Sequence, residues 1–385
     1  MENLLLGIQK LCSVQIIMFI VMGGVVGLLA GAIPGLNDTN ILTLFLSFVV
    51  FLDPFPAVIL MTAVFVACQT AGSIPAILIN IPGTPSTAAS TLEGYPMTKN
   101  GMAGQALGCS FASSLSGTVI GGVMALLLAP ILGRYALSFG PPEMFMLALF
   151  GMTAVASLTG NSVPKGLLSA ILGLLVGTIG MDYFVGVTRS TFGVAELYGG
   201  VPQIPLLLGL FGVGELYSLV FKKSIGSGDS RTKGPDMRSQ WEGFKAALRY
   251  RWTCLLSAVI GFIIGVIPGT GATIASFTSY GMARSLSREP ERFGTGYYGG
   301  LVATDTANNA SVPGSIVPAL TLGIPGSGTT VLFISAFLMH GMQPGPSFFN
   351  SYLPESNAIF LTVILVGCLA TVVGMFAAGY MVKIV

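Results

Sequence analysis

Charge is the commodity this sequence has least of. Among 385 residues, 17 Lys+Arg and 15 Asp+Glu make 8% charged residues, against about 25% in a soluble globular protein. So little charge cannot coat a soluble body of this size, which excludes a cytosolic enzyme, a secreted domain and a disordered regulator. Histidine is nearly absent: His340 stands alone, removing His-based metal sites and His-rich relays. The five cysteines, Cys12, Cys68, Cys109, Cys254 and Cys368, are odd in number and widely spaced. They fit neither a disulfide framework nor zinc spacing and read as small buried hydrophobes. No basic stretch interleaved with aromatics suggests nucleic acid. Gly326-Ser-Gly328 and Gly269-Thr-Gly271 lack the rest of a phosphate-binding loop, so ATP is not bound by that route.

What is present points to a membrane. Hydrophobic residues make 53% of the chain, with a mean hydropathy of +0.83. The 52 glycines and 22 prolines suit helices that approach closely and are broken deliberately. The expected fold is an all-α polytopic membrane protein. Candidate spans are Val14–Ile33, Ile41–Leu52, Pro56–Cys68, Ala106–Leu132, Met144–Leu158, Leu167–Ile179, Val201–Phe221, Trp252–Ile267, Ile274–Ala283, Ile316–Ile324, Val331–Met339 and Ala358–Val385. A straight span needs about 20 apolar residues, so the expectation is about eight true spans plus several half-helices. Val14–Ala32 is longer than a signal-peptide core and reads as an uncleaved first membrane helix.

Lys222–Arg251 carries eight of the 17 basic residues and by the positive-inside rule is a cytoplasmic loop. Arg284, Arg288 and Arg292 mark a second such segment. With both inside, Trp252–Ala283 must enter and return as a Gly-broken re-entrant hairpin.

Self-similarity is the strongest signal. Gly27-Leu-Leu-Ala-Gly31-Ala-Ile33-Pro34-Gly35 aligns with Gly261-Phe-Ile-Ile-Gly265-Val-Ile267-Pro268-Gly269 at an offset of 234. Pro75–Thr87 aligns with Pro318–Thr330 at an offset of 243, again around Ile-Pro-Gly. The chain therefore reads as a duplicated transporter: residues 1–221, a basic loop 222–251, and a second repeat 252–385 expected to be truncated at its C-terminus. Whether the repeats are inverted is left open.

Proline removes a helix hydrogen bond and glycine permits a non-helical φ, so Ile-Pro-Gly stops a helix and bares backbone groups. Within a membrane these are tolerated only against protein or a water-filled cavity. The restarting N-terminus suits a carboxylate, and the free carbonyls suit Na⁺. Hydroxyls follow the breaks. The substrate-side candidates are therefore Gly83, Thr84, Ser86, Thr87, Thr270, Gly271, Thr273, Gly326, Ser327, Gly328, Thr329 and Thr330. Those for a cation or polar network are Asp38, Asn40, Asn80, Asp305, Asn308 and Asn309, with no metal beyond Na⁺ and no catalytic residue. For Asp38 and Asp305 the competing reading is a helix cap at the interface. Glu143 and Glu355 read as first-turn acids; Glu196 and Glu215 find no role. The Gly27/Gly31/Gly35 and Gly261/Gly265/Gly269 ladders read as close-contact surfaces.

Gly72-Ser-Ile-Pro-Ala-Ile-Leu-Ile-Asn-Ile-Pro-Gly-Thr-Pro-Ser-Thr, Glu93-Gly-Tyr-Pro-Met, Ile267-Pro-Gly-Thr-Gly-Ala-Thr-Ile, Glu291-Arg-Phe-Gly-Thr-Gly, Ala307-Asn-Asn-Ala, Leu322-Gly-Ile-Pro-Gly-Ser-Gly-Thr-Thr, His340-Gly-Met-Gln-Pro-Gly-Pro and Gly140-Pro-Pro-Glu143 together resemble the large membrane subunit of the tripartite tricarboxylate transporters. The resemblance covers essentially the whole chain. It implies a bacterial inner-membrane permease importing a di- or tricarboxylate, driven by a Na⁺ or H⁺ gradient and using no other cofactor. It also implies two partners, a small four-helix membrane subunit and a periplasmic solute-binding protein. Leu36-Asn-Asp-Thr-Asn40 is more polar than the family's usual segment, and family members are longer. Two other classes compete. An intramembrane enzyme lacks a His-Glu-x-x-His helix, a Gly-x-Ser-x-Gly elbow and a nucleophile–base pair. A channel has no need of duplicated broken helices, which suit alternating access.

Overall fold

Long apolar runs close their backbone hydrogen bonds within themselves, and nearly everything regular in this chain is helical. The computed structural model describes residues 2–34, 36–138, 163–181, 187–201 and 236–381, with isolated positions at 140, 142–143, 145–146, 149 and 206. The candidate spans Met144–Leu158 and Val201–Phe221, together with Gly35, Glu215 and the 222–235 part of the basic loop, lie outside the described residues or nearly so. Contacts divide the chain into Met1–Ser138 with Ser224–Val385, and Phe139–Lys223.

In the larger unit the helices are α1 (Glu2–Leu11), α2 (Val14–Ala32), α3 (Asp38–Val49), α4 (Pro54–Ala71), α5 (Ser73–Ile79), α6 (Thr91–Lys99) and α7 (Ala103–Ala136). The smaller unit holds α8 (Val163–Gly177) and a two-residue ladder, β1 (Gly180–Met181) on β2 (Thr188–Arg189), pairing Gly180 with Arg189. The larger unit resumes with α9 (Met237–Leu248), α10 (Arg251–Val266), α11 (Gly271–Leu286), α12 (Tyr298–Thr321), α13 (Gly328–Met339), α14 (Pro346–Ser351) and α15 (Leu353–Met381). Four stretches among the described residues are long and apolar enough to cross a membrane: Val14–Ala32, Pro54–Ile79, Ala103–Ala136 and Leu353–Gly379. The chain is a multi-pass, all-α membrane protein.

Small residues set the close contacts. On α2, Val14, Met18, Val21, Val25 and Leu29 are exposed along one stripe, the spacing of a lipid-facing helix surface. The opposite face carries Gly23, Gly27 and Gly31, where an added Cβ would meet the backbone of α4 at Leu60, Val64 and Cys68. Gly261 and Gly265 of α10 sit the same way on Ala307 and Ser311 of α12. α9 meets α10 at a 78° bend, and its Gly243 abuts Gln105 of α7.

Two sequence expectations change. Ile316–Ile324 is not a separate apolar segment: α12 is one 24-residue helix that runs through Pro313 and Pro318. Hydropathy misses it because, though buried nearly throughout, it carries Thr304, Asp305, Thr306, Asn308, Asn309 and Ser311. Of the cysteines, Cys68, Cys109 and Cys254 are buried, but Cys12 and Cys368 are exposed. The first-turn reading of Glu355 gains a partner, since it receives Lys10 Nζ of α1 at 2.5 Å. Glu143 Oε2 likewise accepts the Gly140 N–H at 2.9 Å.

Candidate functional site

Each Ile-Pro-Gly motif ends a helix. α2 stops at Ile33 (φ −90°, ψ 117°) and α10 at Ile267 (φ −76°, ψ 114°), and each cap N–H reaches back three residues. The other two breaks match as closely. Asn80 (φ 61°) and Gly323 (φ 71°) both take the left-handed conformation, and Ile81 and Ile324 donate to Pro75 O and Pro318 O. This left-handed reversal is the usual way a helix terminates. After the turn, Thr84 with Thr87 and Ser327 with Thr330 form reciprocal capping boxes, restarting a 3-10 turn at Pro85–Ser90 and α13 at Gly328.

The breaks touch in pairs. Gly83 donates to Gly72 O at 3.1 Å, and its Cα hydrogen occupies the only room left beside Gly31 O. Gly269 donates to Gly326 O at 3.2 Å. Beyond these contacts, the four restarting segments line one cavity of about 160 Å³. Asn37, Asp38 and Thr39 follow the first break, Pro85 and Ser86 the second, Gly271, Ala272 and Thr273 the third, and Ser327, Gly328 and Thr329 the fourth. Phe65, Gln69, Gly265, Ser311, Val312 and Ser315 complete the wall. The N-terminal ends of α3, α11 and α13 all reach the cavity, and among the described residues its wall contains no lysine, arginine or histidine. Helix N–H groups are the donors it offers; the Ser86 and Thr329 hydroxyls donate to Gln69 Oε1 and Asp38 Oδ2 and must turn from them to meet a ligand.

Asp38 organises that wall. It is buried in the first turn of α3, whose N-cap Asn37 accepts the Asn40 N–H at 2.9 Å. Its Oδ2 receives Thr329 Oγ1 at 2.5 Å and Gln69 Nε2 at 3.1 Å. Thr39 and Thr329 hydroxyls lie 3.1 Å apart. Gln69 then turns its carbonyl to Ser86 Oγ at 2.8 Å and Thr84 Oγ1 at 3.4 Å. This amide thus joins the first and second restarting segments, and Asp38 in turn holds the fourth through Thr329. Sequence reasoning missed Gln69; its signal was a lone amide just after the apolar run Pro56–Cys68.

The other candidates stand elsewhere. Thr87 donates to Gly72 O and Thr84 O, and Thr330 to Ser327 O, so both serve the backbone of the turns. Thr270 likewise donates to the last carbonyls of α10 at Ile264 and Ile267. Asn80 is an exposed helix terminator, and Gly83 and Gly326 are contact points between segments. Asn40 lies half-buried one residue beyond the cavity wall. Asp305, Asn308 and Asn309 form a second cluster in mid-α12, fully buried, which disposes of the interface-cap reading for Asp305. Asn309 bonds Thr70 at 3.0 Å and Ser114 at 2.9 Å, tying α4, α12 and α7.

A further carboxylate appears in the sequence only as part of a motif, with no role of its own. Glu93 of α6 is fully buried and accepts the N–H groups of Gly294, Gly296 and Tyr297 at 2.6, 2.9 and 2.7 Å, and the Tyr280 hydroxyl at 2.8 Å. Gly294 and Gly296 take positive φ there, so that successive N–H groups converge on one anion. The Gly-Tyr-Pro and Arg-Phe-Gly-Thr-Gly motifs are thus two sides of one clasp. His340 makes a smaller tie, its ring nitrogens against Ala336 O at 2.7 Å and Leu52 O at 2.8 Å.

Broken helices restart around one cavity, and the wider sequence identifies the family that has them. Residues 17–385 match the profile of the Tripartite tricarboxylate transporter TctA family. The chain belongs to this family. Its members are the large permease subunits of tripartite transport systems, so this chain is a transporter component. It is 34% identical over 350 residues to an uncharacterized 52.8 kDa protein of the TAR-I ttuC′ 3′ region of Agrobacterium vitis, covering 91% of this chain and 69% of that one. A protein of the TAR-II ttuC′ 3′ region of the same organism is 42% identical over 91 residues, 24% of this chain and 38% of its own length. No solved structure matches.

Proposed function

We propose that this chain carries a di- or tricarboxylate across the bacterial inner membrane by alternating access, driven by a Na⁺ or H⁺ gradient. A periplasmic binding protein delivers the substrate and a small four-helix membrane subunit completes the complex. In this reading residues 1–221 and 252–385 act as two repeats about the shared cavity, and 222–251 faces the cytoplasm. The observation that carries it is the meeting of all four restarting segments around the cavity of Asp38, Ser86, Thr273 and Thr329. A carboxylate must leave its water behind, and oriented helix N–H groups and hydroxyls replace that water without burying a cation, which would be costly when the site is empty. Asp38 keeps Oδ2 tied to Thr329 and Gln69, which both donate to it.

A charge-assisted hydrogen bond contributes about 1.5–3 kcal/mol, so Ser86→Ala or Thr329→Val should weaken citrate binding by roughly ten- to a hundred-fold. Calorimetric titration of the purified membrane complex measures this. Unchanged affinity in both variants would reject the cavity as the substrate site.

A further inference from the structure

We infer that the buried cluster around Asp305 and Asn308 is a sodium-ion site, separate from the substrate cavity and joined to it through Gln69. Asp305 lies in the middle of α12 with no exposed surface. Among the described residues no ion pair reaches it. Its Oδ1 receives Ser73 Oγ of α5 at 3.2 Å and Ser90 Oγ of the 3-10 turn. Its Oδ2 has no hydrogen-bond partner, and neither has Asn308 Oδ1, one turn further along the same helix. The Ser110 and Thr304 hydroxyls also lie within reach of the carboxyl.

Two buried acceptors without donors, one of them on an acid, are costly in a low-dielectric interior. A proton on Oδ2 could serve that oxygen and Asn308 Oδ1 but would draw in none of the surrounding hydroxyl oxygens. A cation accepts lone pairs from both, and from neighbouring hydroxyls as well. The surrounding groups are neutral oxygens with a single carboxylate, and no cluster of three or more His, Cys, Asp or Glu exists among the described residues. That donor set favours a hard monovalent ion over a transition metal.

The path to the cavity is short. Asn308 Nδ2 donates to the backbone carbonyl of Gln69 at 3.5 Å, and the Gln69 side chain holds Asp38 and Ser86. Ser90, on Asp305, ends the same 3-10 turn that places Ser86 in the cavity. An ion at Asp305 therefore fixes the turn that presents a substrate hydroxyl, and sodium and carboxylate must strengthen each other's binding reciprocally.

Only this coupling rests on the transport reading; sodium binding itself is tested without substrate. The melting temperature of the detergent-purified chain is measured in NaCl and in equal concentrations of KCl and choline chloride. Sodium alone should raise it, Asp305→Asn should abolish the rise, Asn308→Ser should weaken sodium binding about tenfold or more, and Asp38→Asn should retain the rise. A sodium response absent from the wild type, or lost in Asp38→Asn but kept in Asp305→Asn, overturns the site. A response that follows falling pH and ignores sodium overturns it in favour of a proton. Where citrate binds, its affinity should rise with sodium in the wild type and be sodium-independent in Asp305→Asn. Citrate binding that fails in every variant while the sodium shift persists contradicts the substrate cavity and leaves the ion site standing.

Discussion

Thr87 and Thr330 have hydroxyls as attractive to a carboxylate as those of Ser86 and Thr329, yet each is bonded to its own turn. Both accept an N–H three residues back and donate to backbone carbonyls, Thr87 to Gly72 O and Thr84 O and Thr330 to Ser327 O. A lost cap of this type costs about 0.5–2 kcal/mol. Thr87→Val and Thr330→Val should therefore lower thermal stability by about that much while leaving citrate affinity within about twofold of Ser86-containing wild type. Affinity falling as far as in Thr329→Val would return these threonines to the substrate. At this scale the sequence separates hydroxyls that follow a break from those that do not, because Ile-Pro-Gly is a local stop signal. It does not tell which hydroxyl turns outward, since Ser86 and Thr87 are neighbours and only the 3-10 geometry distinguishes them. Gln69 and Ser90 were illegible for a different reason: their roles exist only where α4 and the turn meet α3 and α12.

At the scale of elements, the apolar helices and their glycine faces are legible because a spacing of three or four residues is itself geometric. Polar α12 is not, since a helix buried on every side need not be apolar when its hydroxyls and amides find partners in α4, α5 and α7. The clasp of Glu93 on the loop before α12 belongs to the same class of feature. Its two halves, Glu93 and Gly294–Tyr297, are visible as motifs, but their pairing is a long-range contact. Glu93→Ala leaves three N–H groups without an acceptor, at about 1–3 kcal/mol each where they are buried. Its melting temperature should fall well below that of Glu93→Gln, whose amide oxygen still accepts. Equal melting for Glu93→Ala and wild type would show that the clasp contributes nothing to stability.

At the scale of the molecule, two different kinds of repetition coincide. The matching pairs Asn80/Gly323, Gly83/Gly326 and Thr87/Thr330 recur at one offset, yet the segments they belong to are interleaved within one unit and share the cavity. Orientation follows from charge rather than from folding. A cysteine at Arg238, exposed on α9, should resist an impermeant thiol reagent in intact cells and react once they are opened, with Cys12 and Cys368 first replaced by serine because both are exposed. Labelling in intact cells would place that segment outside.

One carboxylate site shared by segments far apart in sequence is tested directly by thiol protection. Single cysteines at Thr39 and Thr273, in a background lacking Cys12 and Cys368, report on the segments after the first and third breaks; a cysteine at Ser285, exposed near the end of α11, serves as control. With citrate at ten times its Kd, labelling at Thr39 and Thr273 should each slow by about tenfold, following site occupancy, while Ser285 is unaffected. Rates at Thr39 and Thr273 that do not change in saturating citrate, in a protein that still binds it, would contradict a substrate site built from the four breaks.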